Sequence, residues 1–296
     1  MIQKGLQLLF ILCLGFGGSS AFGQNLEQLM DSLKTFRANS IEAETESSAL
    51  YWNEKVTQQL MRIYHFEESF TQDFSSIPSF GVLTSPDDYF RLFNWNLQTE
   101  DGKFLFFAHL LINQRKKASK RVYVLEQKDT IYLDPERESL DQDEWMGALY
   151  YEIIPQKAKR GKFYTLLGWC GTDGLTSTKV IETIMFRGKK LRIGLPNIKV
   201  NRRAKKRMLF TYNKNVKMGL KYEEKEDRII YDVLIPKEDR FANYPEFYGP
   251  SFTYNALVWE KGYWVLKKGV QPLAPENKKL KEYLERKKKA EQSKQK

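Results

Sequence analysis

Histidine and cysteine are scarce in this 296-residue chain, with two of each. His65 and His109 lie far apart, and His65-Phe66-Glu67-Glu68 lacks the H-E-x-x-H spacing that sets two imidazoles on one helical face. His109, within Phe106-Phe107-Ala108-His109-Leu110-Leu111, reads as a hydrogen-bonded sheet residue. The expectation is no metal and no cofactor. Beyond the first two dozen residues there is no G-x-S-x-G, no Walker loop and no dinucleotide fingerprint, so the motif-bearing hydrolase, nucleotide and redox classes have no foothold. The apolar run Leu6 to Phe16 falls short of the ~20 residues that span a bilayer.

That run has a different meaning. Met1-Ile2-Gln3-Lys4 carries one positive charge before it, and Ala21-Phe22-Gly23 follows as an A-x-small cleavage site before Gln24. This is the plan of a secretory signal peptide. The expected product is periplasmic or extracellular, with no transmembrane span after cleavage. Cys13 falls inside the leader, and Ile11 and Leu12 before it are too bulky for a lipoprotein signal. Cys170 is then the one thiol left. It is either a reactive or bridging group or, as free cysteine more often is, a small buried hydrophobe.

Acidic residues are absent from one long stretch. The net charge is +11, yet residues 183–222 hold thirteen Lys and Arg with no Asp or Glu, and the tail from Asn277 to Lys296 is also strongly basic. The rest of the body is acidic, so charge is segregated along the chain. Within the basic stretch Arg187, Lys189, Lys190, Arg192, Lys199, Arg202, Arg203, Lys205, Lys206 and Arg207 fall in turns and strand edges, where alternation would gather some of them on one face. Such a field attracts phosphates, lipid headgroups or acidic glycans. Nucleic acid is a poorer match in an exported protein. The plainer reading is a solvated face with lysines guarding sheet edges.

Hydrophobic periodicity divides the remainder. Leu26, Leu29, Met30 and Leu33 mark a helix over 25–37, Asn39 with Glu42 fits a loose capping box, and Val56, Leu60, Ile63 and Tyr64 mark a second helix. From Tyr89 onward aromatic and β-branched runs alternate with Gly and charged turns. Strands are expected at 89–97, 103–112, 121–126, 130–133, 145–155, 162–169, 180–186, 191–195, 207–212, 218–222, 229–235, 254–259 and 263–267. The fold class is α+β, with N-terminal helices followed by a mainly antiparallel β meander, a sandwich or barrel or a small propeller-like array. Four segments result: residues 1–23 a signal peptide, 24–78 helical, 79–273 the β domain, and 274–296 a basic helix and tail. Tyr89-x-x-Leu92-x-x-Trp95 before Asp101-Gly102, Phe163-x-x-Leu166-x-x-Trp169 before Asp173-Gly174, and more weakly Tyr254 to Trp259 before Lys261-Gly262 echo one another. Such echoes arise from repeated hairpins or blades, or from common strand and turn chemistry.

Other chemistry is thin. Six carboxylates between Asp134 and Glu144 could offer calcium its hard oxygens, but the D-x-D-x-D-G loop is missing and an exposed acidic loop fits better. Paired carboxylates near Asp101 and Asp173 would suit a glycan hydrolase. Asp173, with Trp169 and Cys170, is the alternative site, against the ordinary use of Asp-Gly in turns.

Phe163 to Gly174 running into Lys179 to Phe186, Tyr248 to Trp264, and Tyr89 to Trp95 together resemble a group of uncharacterised exported proteins of Bacteroidota over residues 85–270. In that group the aromatic–Leu-Gly–aromatic strand is often followed by Asp where this chain has Cys170, which implies that Cys170 is not a shared catalytic group. The resemblance implies export and a β-rich fold. The expectation is an exported non-catalytic binding or structural module of the cell envelope, with a basic face for an anionic component; the alternative is a glycan hydrolase.

Overall fold

The computed structural model describes residues 25–113, 121–127, 132–156, 162–171, 174–200 and 204–273. Residues 1–24, the 274–296 tail, Asp173, Arg202 and Arg203 lie outside the described residues. Two helices open the chain, α1 (Leu26–Glu42) and α2 (Glu46–Ile63). Helix α1 starts where Asn25 and Gln28 exchange side-chain bonds to each other's backbone. The second helix is capped by Thr45, whose hydroxyl accepts from the Ser48 amide at 3.2 Å. The Asn39–Glu42 cap is therefore corrected: both residues belong to α1, which runs five residues past its expected end.

Fourteen strands form three sheets. The first is β1 (Gly81–Thr84), β2 (Phe90–Gln98), β3 (Phe104–Ile112) and β4 (Val122–Leu125), in that order and antiparallel. The second comprises β5 (Leu149–Gln156), β6 (Lys162–Trp169), β7 (Thr176–Arg187), β8 (Lys190–Ile193) and β10 (Arg207–Asn213). Its order is β10-β7-β6-β5, with β8 also paired to β7. Between β8 and β10 the chain crosses to the third sheet as β9 (Ile198–Lys199). There β9 lies parallel to β14 (Tyr263–Val270), in the order β11-β12-β13-β14-β9, with β11 (Leu220–Glu223), β12 (Arg228–Pro236) and β13 (Tyr248–Glu260). Tyr132 and Leu133 are not in a strand, which corrects the expected 130–133 element within the described residues.

The fold is α+β, built in four layers. One core joins the helices to the first sheet, with Leu33, Val56, Leu60 and Ile63 against Phe93, Trp95 and Leu111. A second joins the first sheet to the second, with Phe90, Leu92 and Leu110 against Tyr164, Leu166 and Ile184. A third joins the second sheet to the third, with Leu167, Ile181 and Met208 against Ile229, Leu257 and Trp264. The second sheet therefore buries both faces, and among the described residues no barrel closes. Trp264 ties the last two layers by donating Nε1 to Thr165 Oγ1 at 2.8 Å. The three echoes fall on β2, β6 and β13, one in each sheet, and each opens a hairpin to the next strand.

Candidate functional site

The β7–β8 hairpin is the focus of exposed positive charge. Arg187 pairs with Lys190 across its turn, and Lys189, Lys190 and Arg192 all reach solvent. Leu191 and Ile193 alternate with the cations and are buried, which turns Lys190 and Arg192 outward together. The end of β7 lies beside two other basic positions. Lys162 opens β6 opposite Phe186, and Arg121, just before β4, donates Nη1 to Gly188 O at 3.0 Å. Phe186 meets Tyr89 and Tyr123 of the first sheet at 5.4 and 5.6 Å between ring centres. Arg121, Lys162, Arg187, Lys189 and Lys190 thus converge on one end of the first and second sheets.

One carboxylate works within this cluster. Asp87 takes a 2.7 Å ion pair from Lys162 and a hydrogen bond from the Tyr164 hydroxyl at 3.0 Å. Burial pushes its carboxyl up, but the bonds from Lys162, Ser85 and Tyr164 outweigh that and hold it below the ordinary range. Lys162 also lies 5.3 Å from the Tyr89 ring centre.

The basic stretch does not form one face. Lys199 is carried away on β9 in the third sheet, 3.4 Å from the Tyr263 ring centre. Lys205 is half-buried and paired to Glu136, and the Lys206 amide donates to Glu136 O at 2.8 Å. Arg207 is the clear correction. It is fully buried (0% exposed), opposite Glu182 (2%) in strand register, and donates Nε to Glu182 Oε1 at 2.6 Å. Its Nη1 donates to Pro135 O and to Glu138 O, the latter at 2.9 Å. Glu182 also accepts from the Tyr150 hydroxyl at 2.5 Å, and Trp145 donates Nε1 to that hydroxyl at 2.9 Å. Arg207 therefore pins the acidic 134–140 segment to the second sheet and cannot meet a ligand at the surface. Sequence reasoning missed this lock, although Glu182 inside Val180-Ile181-Glu182-Thr183-Ile184 is the signal of a buried charge that needs a partner.

The alternative site lies at the opposite end of the sheets. Trp169 is half-buried, donates Nε1 to Ser177 Oγ at 2.6 Å and meets Phe104 edge-on at 5.1 Å. Cys170 is half-buried beside it, and burial pushes its thiol well up, away from the thiolate a nucleophile needs. Gly171 has φ +44°, and a Cβ there would meet Phe104 and Trp169 at 2.8 Å. Phe104, the first residue of β3, is thus a close neighbour of Gly171. Asp101 itself is spent on its own turn. It pairs with Lys103 at 2.7 Å and accepts from Thr99 Oγ1 at 2.6 Å, bonds that lower its carboxyl to about 2. Glu100 and Glu46 at the same end each accept, on a side-chain carboxylate oxygen, from the other's backbone amide, at 3.1 and 3.2 Å.

Among the described residues no His, Cys, Asp and Glu side chains gather as a metal would require, and no helix is long and apolar enough to cross a membrane. His109 is buried and bonded to the Tyr64 hydroxyl at 3.1 Å. A comparison with models of known protein families finds no match, and a comparison with curated proteins finds none either.

Proposed function

We propose that this chain is an exported, non-catalytic binding module of the cell envelope that meets an anionic component through the basic end of its first two sheets. The leader at residues 1–23 supports export. The observation that carries the binding role is the convergence of Arg121, Lys162, Arg187, Lys189 and Lys190 on one end. Arg187, Lys189 and Lys190, exposed on one hairpin, keep their charge available to a partner, whereas Lys162 is paired to Asp87 and Arg207 and Lys205 are consumed inside the fold.

Co-sedimentation with phosphatidylcholine vesicles containing phosphatidylglycerol tests this, with an acidic polysaccharide in a second arm. Binding weakens as salt rises, and one arm outcompetes the other. Each cation near an anionic membrane contributes about 1 kcal/mol. The double variant Arg187→Gln, Lys189→Gln therefore loses about 30-fold in vesicle affinity. Unchanged binding in that variant, or binding indifferent to salt, refutes the reading.

A further inference from the structure

The β8 edge carries a second feature. Leu140 pairs with Ile193 through reciprocal backbone bonds of 2.9 Å, which lays the acidic segment alongside β8. A cleft of about 380 Å³ opens there, with Lys190 and Arg192 on one side and Asp141 and Glu144 on the other. Among the described residues no ion pair joins these cations to these carboxylates, so the cleft holds both signs of charge apart. Asp141 spends Oδ1 on the Asp143 amide at 2.9 Å. Gly194 forms part of the wall, at φ +80°. A Cβ at Gly194 would lie 2.5 Å from Arg207 Nη2, a buried donor with no hydrogen-bond partner. The wall is therefore thinnest where an unspent guanidinium N–H stands behind it.

We infer that this cleft binds an amine-bearing phosphate headgroup of the phosphoethanolamine type, its phosphate on Lys190 and Arg192 and its ammonium between Asp141 and Glu144. The inference rests on the envelope-binding reading and adds a zwitterionic headgroup beside the anionic component. Two cations two residues apart on one strand face suit a phosphate, which offers oxygens to both at once. Two carboxylates three residues apart on the facing segment suit a primary ammonium and disfavour a purely anionic headgroup. Lys190 belongs both to the cleft and to the basic end, so a headgroup seated here lies on the surface through which the module meets its partner.

The test uses the leader-free protein (residues 24–296) and two probes, O-phosphoethanolamine and inorganic phosphate, titrated while the backbone amides of Arg192 and Gly194 are followed by NMR. Vesicles of phosphatidylcholine with or without phosphatidylethanolamine separate a lipid source from a free metabolite. The expected result is tighter binding of O-phosphoethanolamine than of phosphate. The double variant Asp141→Asn, Glu144→Gln erases that preference by about 5- to 10-fold while phosphate binding holds or improves. Arg192→Gln weakens both probes. Gly194→Ala crowds Arg207 and broadens the same amide signals before any ligand is added. Equal binding of the two probes, or a preference untouched by the carboxylate variant, overturns the inference. If phosphatidylglycerol binding survives that outcome, the envelope-binding reading stands without it; if vesicle binding fails as well, both fall.

Discussion

Replacing Glu182 by Leu leaves Arg207 buried with its charge uncompensated, while the volume at position 182 changes little. Both groups lie in the interior, at 2% and 0% exposure, so neither can turn to water without opening the second sheet. The lost interactions are the 2.6 Å bond from Arg207 Nε and the 2.5 Å bond from the Tyr150 hydroxyl. Breaking one partner of a buried pair costs about 3–5 kcal/mol. That is a large part of the ~5–15 kcal/mol that separates a typical folded domain from its unfolded chain. With a urea dependence of about 2–3 kcal/mol per molar, the unfolding midpoint falls by at least ~1 M. Tryptophan fluorescence reads the transition, since Trp145 sits on the same network. The double variant Glu182→Leu, Arg207→Met removes both charges and recovers much of the loss. It does not recover all of it, because Pro135 O and Glu138 O lose their donor and the acidic segment its anchor. The double-mutant cycle should give a coupling of about 2 kcal/mol or more. A single-variant cost below ~1 kcal/mol, or additive effects, would show that the pair is not the lock described here.

Three further outcomes follow from the same coordinates. Burial lowers the His109 imidazole from 6.5 to about 4, so the unfolded chain takes up a proton that the folded one refuses. His109 therefore has no effect on stability above pH 6.5 and costs about 2 kcal/mol by pH 5, a difference that His109→Gln removes from the pH profile of urea unfolding. Trp264→Ala empties a fully buried site between the second and third sheets and cuts the bond to Thr165, at about 3–5 kcal/mol in the same assay; a loss under 1 kcal/mol would mean these layers are not packed as described. Cys170 should resist a disulfide-exchange reagent at pH 8 in the folded protein and react at the rate of a free thiol in urea, because burial holds it protonated; fast reaction in the folded state contradicts its placement.

The strands that sequence reasoning finds best are those buried on both faces. Strand β6, Lys162-Phe-Tyr-Thr-Leu-Leu-Gly-Trp169, is a run of apolar and small residues because one face meets the first sheet and the other meets the third. The same holds for β2 between the helices and the second sheet. Strands β1 and β9 escape notice since they have only four and two residues, too few to show a period. Helix α2 begins earlier than its apolar stripe suggests because its start is fixed by the Thr45 hydroxyl and not by hydrophobic spacing. The layer order is illegible in the chain, since two-sided burial does not say which sheet covers which face.

Charge is harder to read than hydrophobicity, and the failure at Arg207 explains why. Thirteen cations in a stretch without carboxylates look like one surface, but the stretch visits two sheets and turns one residue inward to meet Glu182. Chain proximity is the wrong coordinate for charge in a meander. Each hairpin reverses direction, so alternate connections fall at the same end, and the parity of a turn predicts its neighbours better than its distance along the chain. Counted that way, the connections 113–121, 156–162 and 187–190 hold many Lys and Arg and no carboxylate, with Asp87 and Asp88 of 85–89 at the same end, while at the other end 98–104 carries Glu100 and Asp101 beside Lys103, and 214–219 carries Lys214 and Lys217. The described flanks of the three basic connections meet through Arg121, Lys162 and Arg187. A polar distribution of this kind is not needed to close any core, since the exposed members contribute little to stability. Such a gathering of cations at one end is what the proposed encounter with an anionic surface would use.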